Sequence, residues 1–443
     1  MGGAILLMAN TAVDAGVPKT KAGVALLRDR SSPANRERLR TLAILSALMA
    51  FGPLSTDFYL PAMPTMAESL HTSPGTIEWT ISSYLIGSSL GQLVWGPISD
   101  KYGRRLPVAI GIVIFVIGSA GCALSTSAGA MIAWRVLQAV GACAGIALSR
   151  AMVRDLYEGA RAAQMMSALI TVMAVTPLIG PLIGGQILRF ASWPWIFWLL
   201  AAVGVAALLA LLTLPETLPP ERRRRDAVSK SLVTYYRLLG DRRILGYAAV
   251  SASLYFGIFA YVAGTPFAYI DYYGLRPEFF GLVFASGILG IMASNLINAR
   301  QVMRSGVVPM LRIGASLAAV GGLWAALDAW TGFGGLAGLA APLFLFIATN
   351  GLIIANSIAG AMAAFPKRAG TVSALVGALQ FGAGMAGSGL LGAFADGTPR
   401  PLAFVVAIAG LGAAICAWTL VSSGGRCSRD LKIAAVARSR LSK

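Results

Sequence analysis

Apolar stretches bounded by proline, glycine and charge recur along most of the chain. They read as helices over 41–65, 77–98, 107–127, 129–153, 164–189 and 193–215, and again over 244–270, 279–303, 307–328, 336–363, 368–394 and 400–422. Each is long enough to cross a bilayer, since about 20 residues rising about 1.5 Å apiece cover a hydrocarbon core of about 30 Å. The longest polar interruption, 216–243, holds Pro219, Pro220 and the run Arg222 to Arg225 and divides the spans six and six. The expected fold is an all-α membrane protein of twelve transmembrane helices in two pseudo-symmetric six-helix bundles, 41–215 and 244–422. Around them lie a tail over 1–40, the central loop 216–243 and a tail over 423–443.

The halves also echo each other. Met166-Ser167-Ala168-Leu169 opens span five and Val372-Ser373-Ala374-Leu375 opens span eleven, 206 residues later. A parallel duplication of this kind places a substrate site between the halves near the membrane midplane.

Composition agrees with this pattern: 57% of the 443 residues are hydrophobic and only 12% charged, against about 25% charged in soluble domains. The net charge of +18 is topological. With both tails and alternate loops on one side, only Arg189, Arg276 and Arg400 fall on the other and Arg135 falls within a span. That bias makes the basic side cytoplasmic and removes the case for a nucleic-acid partner. Four cysteines in apolar or cytoplasmic positions imply no disulfide framework, and a lone histidine, His71, offers no metal site. No cofactor is expected. No G-x-x-x-x-G-K-S/T phosphate loop is present, and an enzyme finds no metal cluster, no paired carboxylate site and no nucleophile elbow G-x-S-x-G.

Two ionisable residues stand out inside the hydrocarbon depth, Asp57 in span one and Arg135 in span four. Charge at that depth is costly unless paired or facing a wet cavity, which makes both functional candidates. Burial disfavours a carboxylate and a nearby guanidinium favours it, so a distance that changes with conformation would load and release a proton. The competing reading is a static structural ion pair. Between spans two and three lies Gly96-Pro97-Ile98-Ser99-Asp100-Lys101-Tyr102-Gly103-Arg104-Arg105, a tight charged turn in which Gly103 permits the reversal. Span five carries Pro177, Gly180, Pro181, Gly184 and Gly185, small and helix-bending residues suited to close approach.

These motifs resemble the major facilitator superfamily. The charged turn matches its loop signature, which implies a cytoplasmic gate built from Gly96, Asp100, Gly103, Arg104 and Arg105 with Asp155 as the third partner. The loop after span eight, Arg300 to Gly306, lacks the aspartate. Asp57, and Arg135 with Gln138 and Gly141, resemble the proton-coupling positions of drug:proton antiporters, and the span-five pattern resembles the element that exporters carry. Thr56-Asp57-Phe58-Tyr59-Leu60-Pro61-Ala62-Met63-Pro64, Arg154-Asp155-Leu156-Tyr157 and Glu216-Thr217-Leu218-Pro219-Pro220-Glu221-Arg222 are similar to the Bcr/CflA group of bicyclomycin and chloramphenicol exporters.

The resemblance implies a monomeric transporter of the bacterial inner membrane with both termini cytoplasmic. It would exchange protons for small drug-like molecules such as phenicols or bicyclomycin; an amino-acid or small-peptide transporter is the alternative. Asp57, Tyr59, Tyr84, Arg135 and Gln138 from the first half, and Asn350, Asn356, Gln380 and Phe381 from the second, are the expected substrate contacts.

Overall fold

The computed structural model describes residues 33–157, 159–223, 240–365 and 369–421. The tail segments 1–32 and 422–443, and residues 224–239 of the central loop, lie outside the described residues. All regular structure among those described is helical. Among the described residues eleven helices are long and apolar enough to cross a membrane, and Pro74–Tyr102, more polar but 29 residues long, packs among them as span two. The others correspond to the expected spans: Arg105–Ala123 is span three, Ala128–Leu156 four, Gly159–Phe190 five and Pro194–Leu212 six. Pro277–Ser305, Val307–Thr331, Ala369–Phe394 and Arg400–Thr419 are spans eight, nine, eleven and twelve. Large apolar side chains such as Leu296, Ile297, Leu327 and Ile415 cover the outside of the bundle, as a lipid-facing surface requires.

Three spans depart from the single helices that the sequence suggests. Span one stops at Asp57, makes a 3₁₀ turn over Leu60–Ala62 and resumes as Met63–Ser69. Pro61 and Pro64 lack the amide hydrogens a continuous helix would need there. Span seven runs Arg242–Pro266 and ends in a π turn, Phe267–Tyr272, at the corresponding position of the second half. Span ten is Gly335–Ala348 and Asn350–Ala364, interrupted at Thr349.

Local chemistry fixes the connections. Ser73 caps span two by accepting from the Thr76 amide at 3.3 Å, and Ser127 caps span four by accepting from the Ala130 amide at 3.3 Å. Gly103 and Gly306 end spans two and eight with φ of 95° and 84°, a left-handed backbone open to glycine. These twin turns show the pseudo-symmetry directly.

The two halves meet at the end of the bundle away from Pro33 and Val421, the outermost described residues, here called the loop end. There span two crosses span eleven and span five crosses span eight. Ser82 Oγ and Ser388 Oγ are 2.8 Å apart, and Gly75 lies against the Gly392 carbonyl. A Cβ on Gly185 would stand 2.7 Å from the Pro277 carbonyl oxygen, and one on Gly281 2.6 Å from the Leu182 amide. Towards the other end, the tail end, a Cβ on Gly96, Gly377 or Gly382 would meet nothing within 4 Å. The halves therefore close together at the loop end and diverge towards the tail end.

Candidate functional site

The break in span one organises the site. Ending the helix at Asp57 leaves carbonyls of its last turn without intrahelical donors. Arg135 of span four fills part of that need, donating from Nη1 to the Ser55 carbonyl at 2.9 Å and to Gln138 Oε1 at 2.6 Å. A guanidinium also suits the negative end of a helix. Gln138 passes the network to span three, donating to Ser119 Oγ at 2.8 Å. The Arg135 side chain is fully buried, with its guanidinium carbon 4.3 Å from the Tyr59 ring centroid and 4.4 Å from that of Tyr84. The phenols are themselves fixed, Tyr59 to Thr80 Oγ1 at 3.0 Å and Tyr84 to the Gly52 carbonyl at 3.4 Å.

Arg135 nevertheless keeps two buried nitrogens, Nε and Nη2, without a partner. Asp57, 6% exposed, accepts from Thr56 Oγ1 at 3.1 Å and forms no ion pair with Arg135 among the described residues. A static Asp57–Arg135 bridge is therefore not what holds either residue. A buried acid and a buried base stand close to the same helix break, each with bonding capacity left over.

Span five closes this site from the seam side. A Cβ on Gly180 would come 2.8 Å from the Asp57 Cβ, and one on Gly184 would overlap the Phe58 carbonyl oxygen. Gly185 meets the start of span eight. Pro177 and Pro181 lie inside the helix, which continues over 32 residues. The glycines thus join the helix break carrying Asp57 to the junction between the halves.

At the tail end the charged turn is drawn into one cluster. Arg104 donates from Nη1 to Asp100 Oδ1 and to Ser99 Oγ, both at 2.6 Å, and from Nε to Asp155 Oδ2 at 2.8 Å. Glu216, unassigned by sequence reasoning, completes it from beyond span six. Its Oε1 accepts the Arg104 amide at 2.8 Å, Thr217 at 2.9 Å and Leu218 at 3.0 Å, and its Oε2 accepts the Arg105 amide at 3.2 Å. Partial burial pushes this carboxyl up, but the four amides together outweigh it and hold the group below its ordinary range. Gly103 is required here too, since a Cβ would stand 2.6 Å from Glu216 Oε2. Arg105 reaches the Leu212 carbonyl at 2.6 Å. Every member of the cluster belongs to the first half or the start of the central loop, and Gly96 stands open beside it.

The expected contacts from the second half are dispersed. Asn356 donates to Asn298 Oδ1 and to the Leu352 carbonyl, both at 2.7 Å, and is engaged within its own bundle. Asn350 is half-buried at the start of the second segment of span ten. Gln380 is buried with its Nε2 unpartnered. Phe381 packs edge-on to Tyr255 at 5.9 Å and beside Phe259 at 6.2 Å, an aromatic group shared by spans seven and eleven.

Sequence reasoning passed over two further buried acids, Glu78 at the start of span two and Asp328 near the end of span nine. Both sit at span margins, where a charge looks like ordinary punctuation. One stretch, Gly87-Ser88-Ser89-Leu90-Gly91, has G-x-S-x-G spacing. It lies mid-helix in span two, Ser89 donates to the Leu85 carbonyl at 2.8 Å, and both glycines face span four. It is a packing element rather than a nucleophile elbow.

A transporter architecture follows from twelve spans in two similar halves that meet at one end, with buried charge beside the seam. Residues 42–388 match the Major Facilitator Superfamily profile. The chain is 37% identical to "Uncharacterized MFS-type transporter YdgK" of Bacillus subtilis, over 82% of this chain and 90% of that protein. It is 30% identical to "Bicyclomycin resistance protein homolog" of Haemophilus influenzae, over 83% and 91% respectively. Its fold is similar to the crystal structure of a D-xylose-proton symporter, with a TM-score of 0.71 at 16% identity over 87% of this chain and 98% of that one. The chain belongs to the major facilitator superfamily, and within it to the Bcr/CflA drug:proton antiporter group.

Proposed function

We propose that this protein exports small amphipathic molecules, of the size and character of phenicols or bicyclomycin, in exchange for protons by alternating access. The observation that carries the reading is the pair of buried, incompletely satisfied groups at the break of span one. Among the described residues Asp57 forms no ion pair, and Arg135 Nε and Nη2 are buried without a hydrogen-bond partner. A carboxyl so placed can hold a proton in one state and give it up in another as its distance to a guanidinium changes. Tyr59, Tyr84 and Gln138 hold Arg135 ready, and Gln380 and Phe381 offer a polar and an aromatic surface from the facing half.

The basic residues gathered at the tail end support a cytoplasmic location for both termini in the bacterial inner membrane. On that orientation the molecule is open to the cytoplasm, ready to load substrate, and the Asp100–Arg104–Asp155 cluster stands free to meet the opposing half when the cytoplasmic side closes. About 150 mV acting on one charge supplies about 3.5 kcal/mol, enough to sustain a gradient of a few hundred-fold without ATP. On this reading the protein acts as a monomer, with the pathway between its two halves.

A susceptibility panel in a pump-deficient bacterial host, with and without an uncoupler, tests the function. Expression is expected to raise resistance to at least one such drug several-fold, and the uncoupler to abolish the gain. Substrate driven inward together with protons, in membrane vesicles, would overturn the export reading.

A further inference from the structure

The proton chemistry assigned to Asp57 leaves a second buried carboxyl without a task. Glu78, on the second turn of span two, is 3% exposed and its Oε2 has no hydrogen-bond partner. Among the described residues no cation pairs with it. It borders a narrow cavity at the loop end with about 20 Å³ of room for the centre of a water molecule, space for about one water.

The walls come from both halves. Span seven and its π turn supply Gly264, Phe267 and Ala268, the end of span eleven Leu391 and Ala395, and span twelve Leu402. Seam contacts flank the carboxyl on either side: Gly75, one turn earlier, touches Gly392, and Ser82, one turn later, bonds to Ser388. Glu78 is buried by the joining of the halves as well as by its own bundle.

The surrounding titratable groups do not answer its charge. Span eleven carries none over 369–394. Tyr261 and Tyr269 of span seven pack on Phe284 and Phe280 of span eight, and Asp271 is exposed. Arg400, which opens span twelve, lies over Trp330, and Asp396 before it accepts from Thr398. Glu68 and His71, ahead of span two, are exposed, and Arg135 of span four is enclosed by Tyr59 and Tyr84. Cys122 of span three is a buried thiol. A carboxylate at Glu78 with the seam shut would have neither cation nor donor, and the neutral acid is strongly preferred there.

We propose that Glu78 is a proton-binding residue of the loop-end gate, taking one proton from the solvent on that side as the halves close over it and returning it as they part. The added proton converts the carboxylate to a neutral acid, and parting of the seam hydrates the group and lets the proton leave. Closure at the loop end is thereby favoured by acid on that side, up to tenfold per pH unit for one linked proton. The inference rests on the alternating-access reading and is independent of Asp57.

The test is the full-length protein in lipid nanodiscs without drug, with Cys416 and Cys427 replaced by Ser and spin labels at Ser69→Cys and Tyr272→Cys. Distances are measured by pulsed electron resonance from pH 5 to pH 9. The closed-to-open ratio is expected to fall as pH rises, approaching tenfold per unit over part of the range. Glu78→Gln, which mimics the protonated acid, should be more closed than the wild type and lose the Glu78 share of the slope, up to tenfold per pH unit, and Glu78→Gln combined with Asp57→Asn should be flat across the range. Glu78→Asp should restore a titration, and Asp57→Asn should keep the Glu78 share of the slope. A wild-type slope in Glu78→Gln, no slope in the wild type, or a slope lost in Asp57→Asn would each overturn the proposal. Failure of Asp57→Asn to impair efflux, with the Glu78 response intact, would instead count against the reading of Asp57.

Discussion

Arg135 shows how a charge survives inside a bundle without a carboxylate beside it. Two ring faces, a carbonyl released by a helix break and a glutamine oxygen share the guanidinium. A lysine carries the same charge but has no flat head to stack between two rings. Arg135→Lys is expected to lose about 1–3 kcal/mol of stability, read as a lower unfolding temperature in detergent; an unchanged transition would contradict the packing described. Glu216 makes a prediction about pH. Its carboxyl is depressed in the folded protein, so the stability it contributes is present above the ordinary glutamate value and is lost as pH falls through the folded one. Relative to the intrinsic rate at each pH, amide protection over Ser99–Arg105 should fall in acid in the wild type, whereas Glu216→Gln should be weakly protected already at neutral pH. Asp57 and Arg135 stood out in the sequence because a charge inside an apolar run is conspicuous, and Asp100, Arg104 and Asp155 through the loop signature that they resemble. Glu216 did not, because the Arg104 and Arg105 amides that it ties to the end of span six lie more than 100 positions away. Glu78 did not, because only the opposite half of the molecule reveals that it is buried.

Among the elements, the spans and their order were readable from hydropathy, while the interruptions were not. Pro61 and Pro64 read as the end of span one, when in the structure they mark a break followed by another short helix. The interruption of span ten at Thr349 has no proline at the break itself, and Thr349 Oγ1 returns to the Phe346 carbonyl at 2.6 Å. Individual glycines of spans five and eleven differ in surroundings. Gly184 lies against the Phe58 carbonyl, whereas Gly377 faces open space. Gly184→Ala should force spans one and five apart, with a loss of about 1–3 kcal/mol and of most efflux. Gly377→Ala should be neutral or stabilising by up to about 1 kcal/mol, the ordinary helix preference of alanine. Thermal unfolding of both variants checks the contrast, and equal effects would contradict it.

For the molecule as a whole, the duplication visible in the sequence becomes two bundles with twin glycine turns at Gly103 and Gly306 and irregular turns at matching places in spans one and seven. The state of the molecule was not legible at all, since which end is closed depends on packing between residues from opposite halves. Ser82 and Ser388 mark that closure. Paired Ser82→Cys and Ser388→Cys should cross-link on oxidation and arrest efflux, with activity restored by reductant; uninterrupted efflux in the cross-linked protein would contradict alternating access at this seam. The central claim is that a proton on Asp57 is exchanged for drug. Its most direct test is proton release by the solubilised protein when a transported drug is added in weakly buffered solution. Release is expected from the wild type and none from Asp57→Asn, with drug still bound. Equal release from both would contradict it.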